Sequence, residues 1–132
     1  MSFGEKLYQL RVERGIYQKE LAVYLKVSVG TISNYENGVH SPDLDALCLI
    51  ADYFHVSVDY LLGRTEYTAP LEELNEELVN QYTVGSILNT IIELSPDSRQ
   101  NLVKYLTMLK LYEENVARLE QTDPDDDEPS EE

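Results

Sequence analysis

An all-α fold is what this sequence predicts: a small domain of five short helices, a second helical region, and an acidic end. Three observations carry that expectation. Apolar residues recur at three- and four-residue spacings through most of the 132 residues, the mark of helices buried on one side. No convincing strand pattern stands out anywhere. Gly15, Gly38 and Gly63 each fall just beyond an apolar stripe, where helices end.

The elements follow in order. Phe3, Leu7 and Leu10 form the first stripe, which stops at Gly15. Gln18 to Leu25 makes a short second helix with Leu21, Ala22 and Leu25 inward. Ser28 is a suitable N-cap for a third helix running to about Asn37, with Gly38 in a left-handed turn. Ser41-Pro42-Asp43 starts a fourth, with Leu44, Leu47, Ala51 and Phe54 recurring on one face, and Cys48, in the run LCLIA, reads as a small buried hydrophobe. Ser57 caps a fifth helix that closes at Gly63. Residues 1–64 are thereby one domain, and 64–70, RTEYTAP, read as a linker.

Residues 65–121 read as linker plus a second helical region. Leu71, Leu74 and Leu78 mark one stripe, and Val84, Ile87, Leu88, Ile91 and Ile92 a broader one, with Gly85 leaving open whether these are one helix or two. Ser95-Pro96-Asp97 combines a cap, Pro in the first turn and an acid near the helix start. The helix it opens carries Leu102, Tyr105, Leu109, Tyr112, Val116 and Leu119 at alternating spacings, widened by Val103, Leu106 and Leu111. Two or three helices offer too little surface to bury so many hydrophobes. They require another surface: a second copy of the chain, which the reading favours, or the first domain.

Charge divides the chain the same way. The formal net charge is −15, yet residues 1–64 carry six basic against eight acidic side chains and residues 65–132 four against seventeen. The final segment, TDPDDDEPSEE at 122–132, has no anchoring hydrophobe and reads as a disordered acidic tail, either a solubilising appendage or a decoy for a basic surface. The opening MSFGEKLYQLRVERG is charged and amphipathic, unlike a leader, and no apolar run approaches bilayer length, so a cytoplasmic location is expected. With one Cys and two separated His, no metal site is expected. Neither a phosphate-cradling Gly loop nor a nucleophile motif points to an enzyme, and no cofactor is implied.

The spacing Gln18-x3-Ala22-x3-Lys26-x5-Ile32-x2-Tyr35-Glu36 has a mechanical logic. A small Ala22 lets the next helix cross closely, while Leu21, Ile32 and Tyr35 lock the pair at a fixed angle. Together with LAVYLKVSVGTISNYENG, SPDLDALCLIADYF and VSVDYLLG, this pattern resembles the XRE/Cro-type helix-turn-helix family of phage and bacterial repressors over residues 3–63. The resemblance implies a lambda-repressor-like DNA-binding domain; beyond it, the apolar stripe of Leu102, Tyr105, Leu109, Tyr112 and Val116 is expected to serve dimerisation.

The resemblance further implies base contacts from Val29, Gly30, Thr31, Ser33 and Asn34 on the third helix. Phosphate contacts are implied for Gln18, Asn37 and Gly38, and a structural ion pair for Arg11 and Glu36; Lys19, Lys26 and His40 lie where they can hold phosphates or be simply solvated. Arg14 joins the basic residues available to phosphates. Four residues depart from the family pattern. Lys26 stands where the turn usually has Gly, and Tyr17 where a Thr or Ser usually caps the second helix. Val29 and Gly30 replace long polar readers: Val29 suits a thymine methyl, Gly30 allows close approach, and Asn34 suits adenine N6 and N7.

The expected function is a sequence-specific, double-stranded-DNA-binding transcriptional regulator, a dimeric repressor that reads an inverted repeat. The alternative is a protein-interaction module, antitoxin-like or phage-immunity-like, whose acidic C-terminal helices bind a regulatory protein partner.

Overall fold

The computed structural model describes residues 1–121, and the chain divides into two compact units, Met1–Val84 and the residues from Gly85 on. The acidic segment expected at 122–132 lies outside the described residues. In the first unit, five helices follow one another: α1 (Phe3–Glu13), α2 (Gln18–Leu25), α3 (Val29–Glu36), α4 (Leu44–Phe54) and α5 (Val58–Leu61).

Short polar residues start most of these helices. Ser2 and Glu5 form a reciprocal capping box on α1, Ser28 accepts from the Thr31 N–H, Asp43 from Ala46 and Ser57 from Tyr60. Each satisfies an amide that the helix itself leaves unpaired. Tyr17 does not cap α2 with its side chain. Instead the Glu20 carboxylate reaches back to the Tyr17 N–H at 2.7 Å, so half of a capping box survives the loss of a hydroxyl cap.

The core gathers the inward stripes of all five helices. Leu7, Leu21, Ile32, Ile50, Phe54 and Leu61 are fully enclosed, and Ala22, Leu25, Tyr35, Leu47, Ala51 and Val56 complete the cluster. Burying each of the larger side chains is worth about 1.5–3 kcal/mol relative to exposure. Two expectations for α4 are corrected. Leu44 is 80% exposed, because it stands at the first helical position, outside the packed face of Leu47, Ile50, Ala51 and Phe54. Cys48 is exposed, since one position beyond Leu47 turns it away from that face.

Lys26 closes α2 with φ 56° and ψ 42°, the left-handed conformation, which a side chain with a Cβ adopts only at a cost. Lys26→Gly is therefore expected to stabilise the protein by about 0.5–1 kcal/mol, part of the relief being offset by the freer unfolded chain. A thermal melt should show the midpoint rise by a few degrees.

After the helices, the stripe Leu71, Leu74, Leu78 does not form one helix. A 3₁₀ turn spans Leu71–Asn75, and a small antiparallel hairpin follows, β1 (Glu77–Val79) and β2 (Tyr82–Thr83). Asn80 and Gln81 both have positive φ, 50° and 69°, as a two-residue hairpin turn requires. The three leucines fit helical spacing only by coincidence. The signal passed over was Asn80, a residue tolerant of that turn, between Leu78-Val79 and Tyr82-Thr83.

Two helices complete the described chain, α6 (Val84–Glu93) and α7 (Pro96–Gln121). The Val84–Ile92 stripe thus belongs to one helix. α7 opens where Ser95-Pro96-Asp97 predicts, with the Ser95 hydroxyl accepting from the Ser98 N–H. Arg99, one turn into α7, donates to the carbonyls of Ile91 and Ile92. It thereby satisfies acceptors that α6 leaves open at its end and ties the two helices together. Among the described residues, no helix is long and apolar enough to cross a membrane.

Candidate nucleic-acid interface

The α2–α3 hairpin is built as its spacing implies. Leu21, Ala22, Ile32 and Tyr35 are buried on its inner side, and the turn is closed by the Lys26 and Val27 N–H groups on the Val23 and Ala22 carbonyls. The opposite side of α3 is open. Val29 is 46% exposed, Gly30 is exposed, and Thr31, Ser33 and Asn34 are partly exposed.

The hydrogen bonding of these five residues differs. The Thr31 hydroxyl shares a 2.9 Å bond with the Ser28 hydroxyl, and Ser33 accepts from the Asn37 amide at 3.2 Å. The Asn34 carbonyl accepts from the Val39 and His40 N–H groups, whereas its side-chain amide has no partner among the described residues. Asn34 is thus the member of the set whose donor and acceptor are both unengaged.

Two glycines that bear on α3, Gly4 and Gly30, obey opposite logics. A Cβ on Gly4, buried in α1, would lie 2.5 Å from the main-chain oxygens of Tyr35 and Glu36. Close packing of α1 against the end of α3 therefore demands glycine there. A Cβ on Gly30 would meet only the Ser28 hydroxyl oxygen, at an ordinary 3.7 Å. Packing within the protein gives no reason for glycine at position 30. Gly4 escaped the sequence reading, although a glycine inside an apolar helical stripe is itself a sign of close backbone approach.

One carboxylate fastens α3 to the rest of the domain. Glu36 accepts from Arg11 Nε at 2.5 Å and Nη2 at 3.2 Å, and from Gln18 Nε2 at 2.7 Å. Arg11 also donates to the Ile16 carbonyl at 2.9 Å. α1, the loop before α2, α2 and α3 therefore meet at a single buried group. The hydrogen bond it donates to Glu36 raises the Arg11 pKa, against the effect of burial. Gln18, assigned by resemblance to a phosphate, commits one amide hydrogen to this network and keeps its place in the first turn of α2.

The cations are distributed unevenly. Lys6 is buried with its ammonium 4.2 Å from the Tyr60 ring centre, and Arg64 pairs with Asp59. Arg14 donates to the Phe54 carbonyl at 2.6 Å over the Phe54 ring, which ties it to the end of α4. Lys19 and Lys26 are exposed, as are Asn37, Gly38 and His40 near the end of α3, with Gly38 at φ 71°. In the second unit, Leu102 and Val116 are partly exposed, and Tyr105, Leu109 and Tyr112 are exposed along α7.

Residues 7–61 match the family described as Helix-turn-helix. The chain is 37% identical over 82 residues to the HTH-type transcriptional regulator ImmR of Bacillus subtilis (strain 168), covering 61% of this chain and 65% of that protein. With the HTH-type transcriptional activator BcrR of Enterococcus faecalis it shares 39% identity over 75 residues, 57% of this chain and 37% of the relative. The chain thus spans less than two thirds of the length of both. The likeness to the SPbeta prophage-derived uncharacterized HTH-type transcriptional regulator YonR of Bacillus subtilis (strain 168) is 31% over 113 residues, taking in 86% of this chain and 99% of that one. This extent of identity, together with the α2–α3 hairpin, means that the chain belongs to the family of helix-turn-helix transcriptional regulators.

Proposed function

We propose that the protein is a sequence-specific repressor that binds double-stranded DNA as a homodimer, each subunit laying α3 in the major groove of one half of an inverted repeat. The observation that carries this reading is the outer face of α3, where Val29, Gly30 and the unengaged Asn34 amide stand together on a rigidly held helix. Asn34 suits paired hydrogen bonds to an adenine and Val29 a thymine methyl, with Thr31 and Ser33 beside them. Gln18, Lys19, Lys26, Asn37, Gly38 and His40 flank this face as phosphate contacts. Repression is the simpler mode, because occupancy of a promoter suffices.

Gly30→Ala separates reading from folding. The substitution is expected to stabilise the free protein by about 0.5–1 kcal/mol through helix propensity. It is also expected to weaken operator binding, because the added methyl meets the base edges. Denaturation and binding isotherms on the same protein check both halves.

Selection of bound duplexes from a random library by the full-length protein tests the reading. Enrichment of one palindrome with half-sites about one helical turn apart, ~34–36 Å, is expected, and failure to enrich any sequence would refute it. With Lys19 and Lys26 as the exposed cations near α3, the dependence of log K on log salt should have a slope of only about −3 to −4 for a dimer.

Tyr105, Leu109 and Tyr112 are the residues we assign to dimerisation, with Leu102 and Val116, and their exposure along α7 supports that role. A fragment of residues 1–84 should bind the selected operator more than tenfold more weakly than the full chain. Equal affinity would remove the coupling between dimerisation and DNA binding. The same apolar face, in an acidic region, also supports capture by a regulatory protein that competes with dimerisation.

A further inference from the structure

The end of α3, the start of α2 and the outer side of α1 enclose an open cleft of about 400 Å³, lined by Glu5, Tyr8, Gln18, Glu36 and Asn37. Two of these residues, Gln18 and Asn37, are phosphate candidates, while Glu5 and Tyr8 belong to none of the DNA contacts proposed above. We propose that the cleft receives a DNA backbone phosphate, that the Tyr8 hydroxyl donates to it, and that the Glu5 carboxylate opposes it and holds affinity down. The inference rests on the DNA-binding reading and adds to it the two residues that set its strength.

The groups in the cleft are not equivalent. Glu36 is matched, since both of its oxygens accept from Arg11 and Gln18. Glu5 accepts the neutral Ser2 N–H at 2.7 Å and feels the positive amino terminus, but among the described residues no Lys or Arg pairs with it. The hydrogen bonds with Ser2 lower its pKa. The Tyr8 ring lies 5.4 Å from the Arg11 guanidinium carbon, which fixes the ring against the matched ion pair. Its hydroxyl has no hydrogen-bond partner among the described residues. A phosphate oxygen beside Gln18 and Asn37 therefore meets one unengaged donor and one carboxylate without a Lys or Arg partner. At 0.1 M salt, charges within about 10 Å still interact, and with so few cations near α3 a single anion has a measurable effect.

Glu5→Gln tests this without disturbing the helix start, because glutamine serves the same position of a capping box. The probe is the palindromic duplex selected by the full-length protein, with affinities measured from 50 to 200 mM salt. Glu5→Gln is expected to tighten binding at least threefold at low salt, with the advantage shrinking as salt rises. Tyr8→Phe, which keeps the ring on Arg11, is expected to weaken binding about fivefold with an unchanged melting temperature. Wild-type affinity in either variant, with the wild-type protein binding its duplex, overturns this inference and leaves the DNA-binding reading standing. If the wild-type protein selects no duplex, both fall together.

Discussion

Gly4→Ala is expected to destabilise the protein by about 3 kcal/mol, the upper end of what overpacking usually costs. In an open helix the same change would gain up to about 1 kcal/mol. Here the new methyl would sit 2.5 Å from two main-chain oxygens at the end of α3. Backbone atoms cannot swing aside as a flexible side chain would, so α1 and α3 must separate, and that separation opens the contacts of Leu7, Ile32 and Tyr35 behind them. Urea denaturation measures the loss. Under conditions where the variant remains folded, operator affinity should also fall, because the helix that moves is the one proposed to read DNA. A variant as stable as the parent would mean that α1 and α3 do not approach as described.

Glu36→Ala should cost a comparable or larger amount, about 3–5 kcal/mol, as removal of one partner from a buried ion pair does. The side chains of Arg11 and Glu36 are only 12% and 5% exposed. Without the carboxylate, the Arg11 guanidinium keeps the Ile16 carbonyl but loses its counter-charge, and Gln18 loses its acceptor. A double variant, Arg11→Met with Glu36→Leu, should be more stable than Glu36→Ala, since it strands no charge. Denaturant titration of the three proteins decides this, and a double variant no better than the single one would contradict the assignment of the loss to an unpaired cation. The sign with pH follows from Arg11, whose pKa is raised. Its contribution is fully present below the ordinary arginine range and is lost only above it, so the Arg11 side of the pair should show no decline through neutral and mildly alkaline pH.

Much of this was legible in the residues alone, and the failures have physical reasons. The five helices of the first unit declare themselves because caps, stripes and terminal glycines agree at each boundary. Ser28, Ile32, Tyr35 and Gly38 all specify the same α3. Arg11 and Glu36, twenty-five residues apart, were paired by resemblance, since no local pattern links them. Leu44 and Cys48 were misjudged because composition reports hydrophobicity while burial depends on which face of α4 has a neighbour. The hairpin at 77–83 was missed because three leucines happened to match a helical period, and a strand of three residues is too short to show alternation. Arg14 looked available for phosphates in sequence, yet its partner, the Phe54 carbonyl, is forty positions away, a distance no periodicity spans.

The outward face of α3 makes little contact with the core that holds the domain together. Substitutions at Val29, Gly30 or Asn34 should therefore leave the fold intact, unlike changes at Gly4 or Glu36. Target preference can then drift through such positions while the scaffold stays constant, and a different reading head could be installed there by exchanging a few side chains.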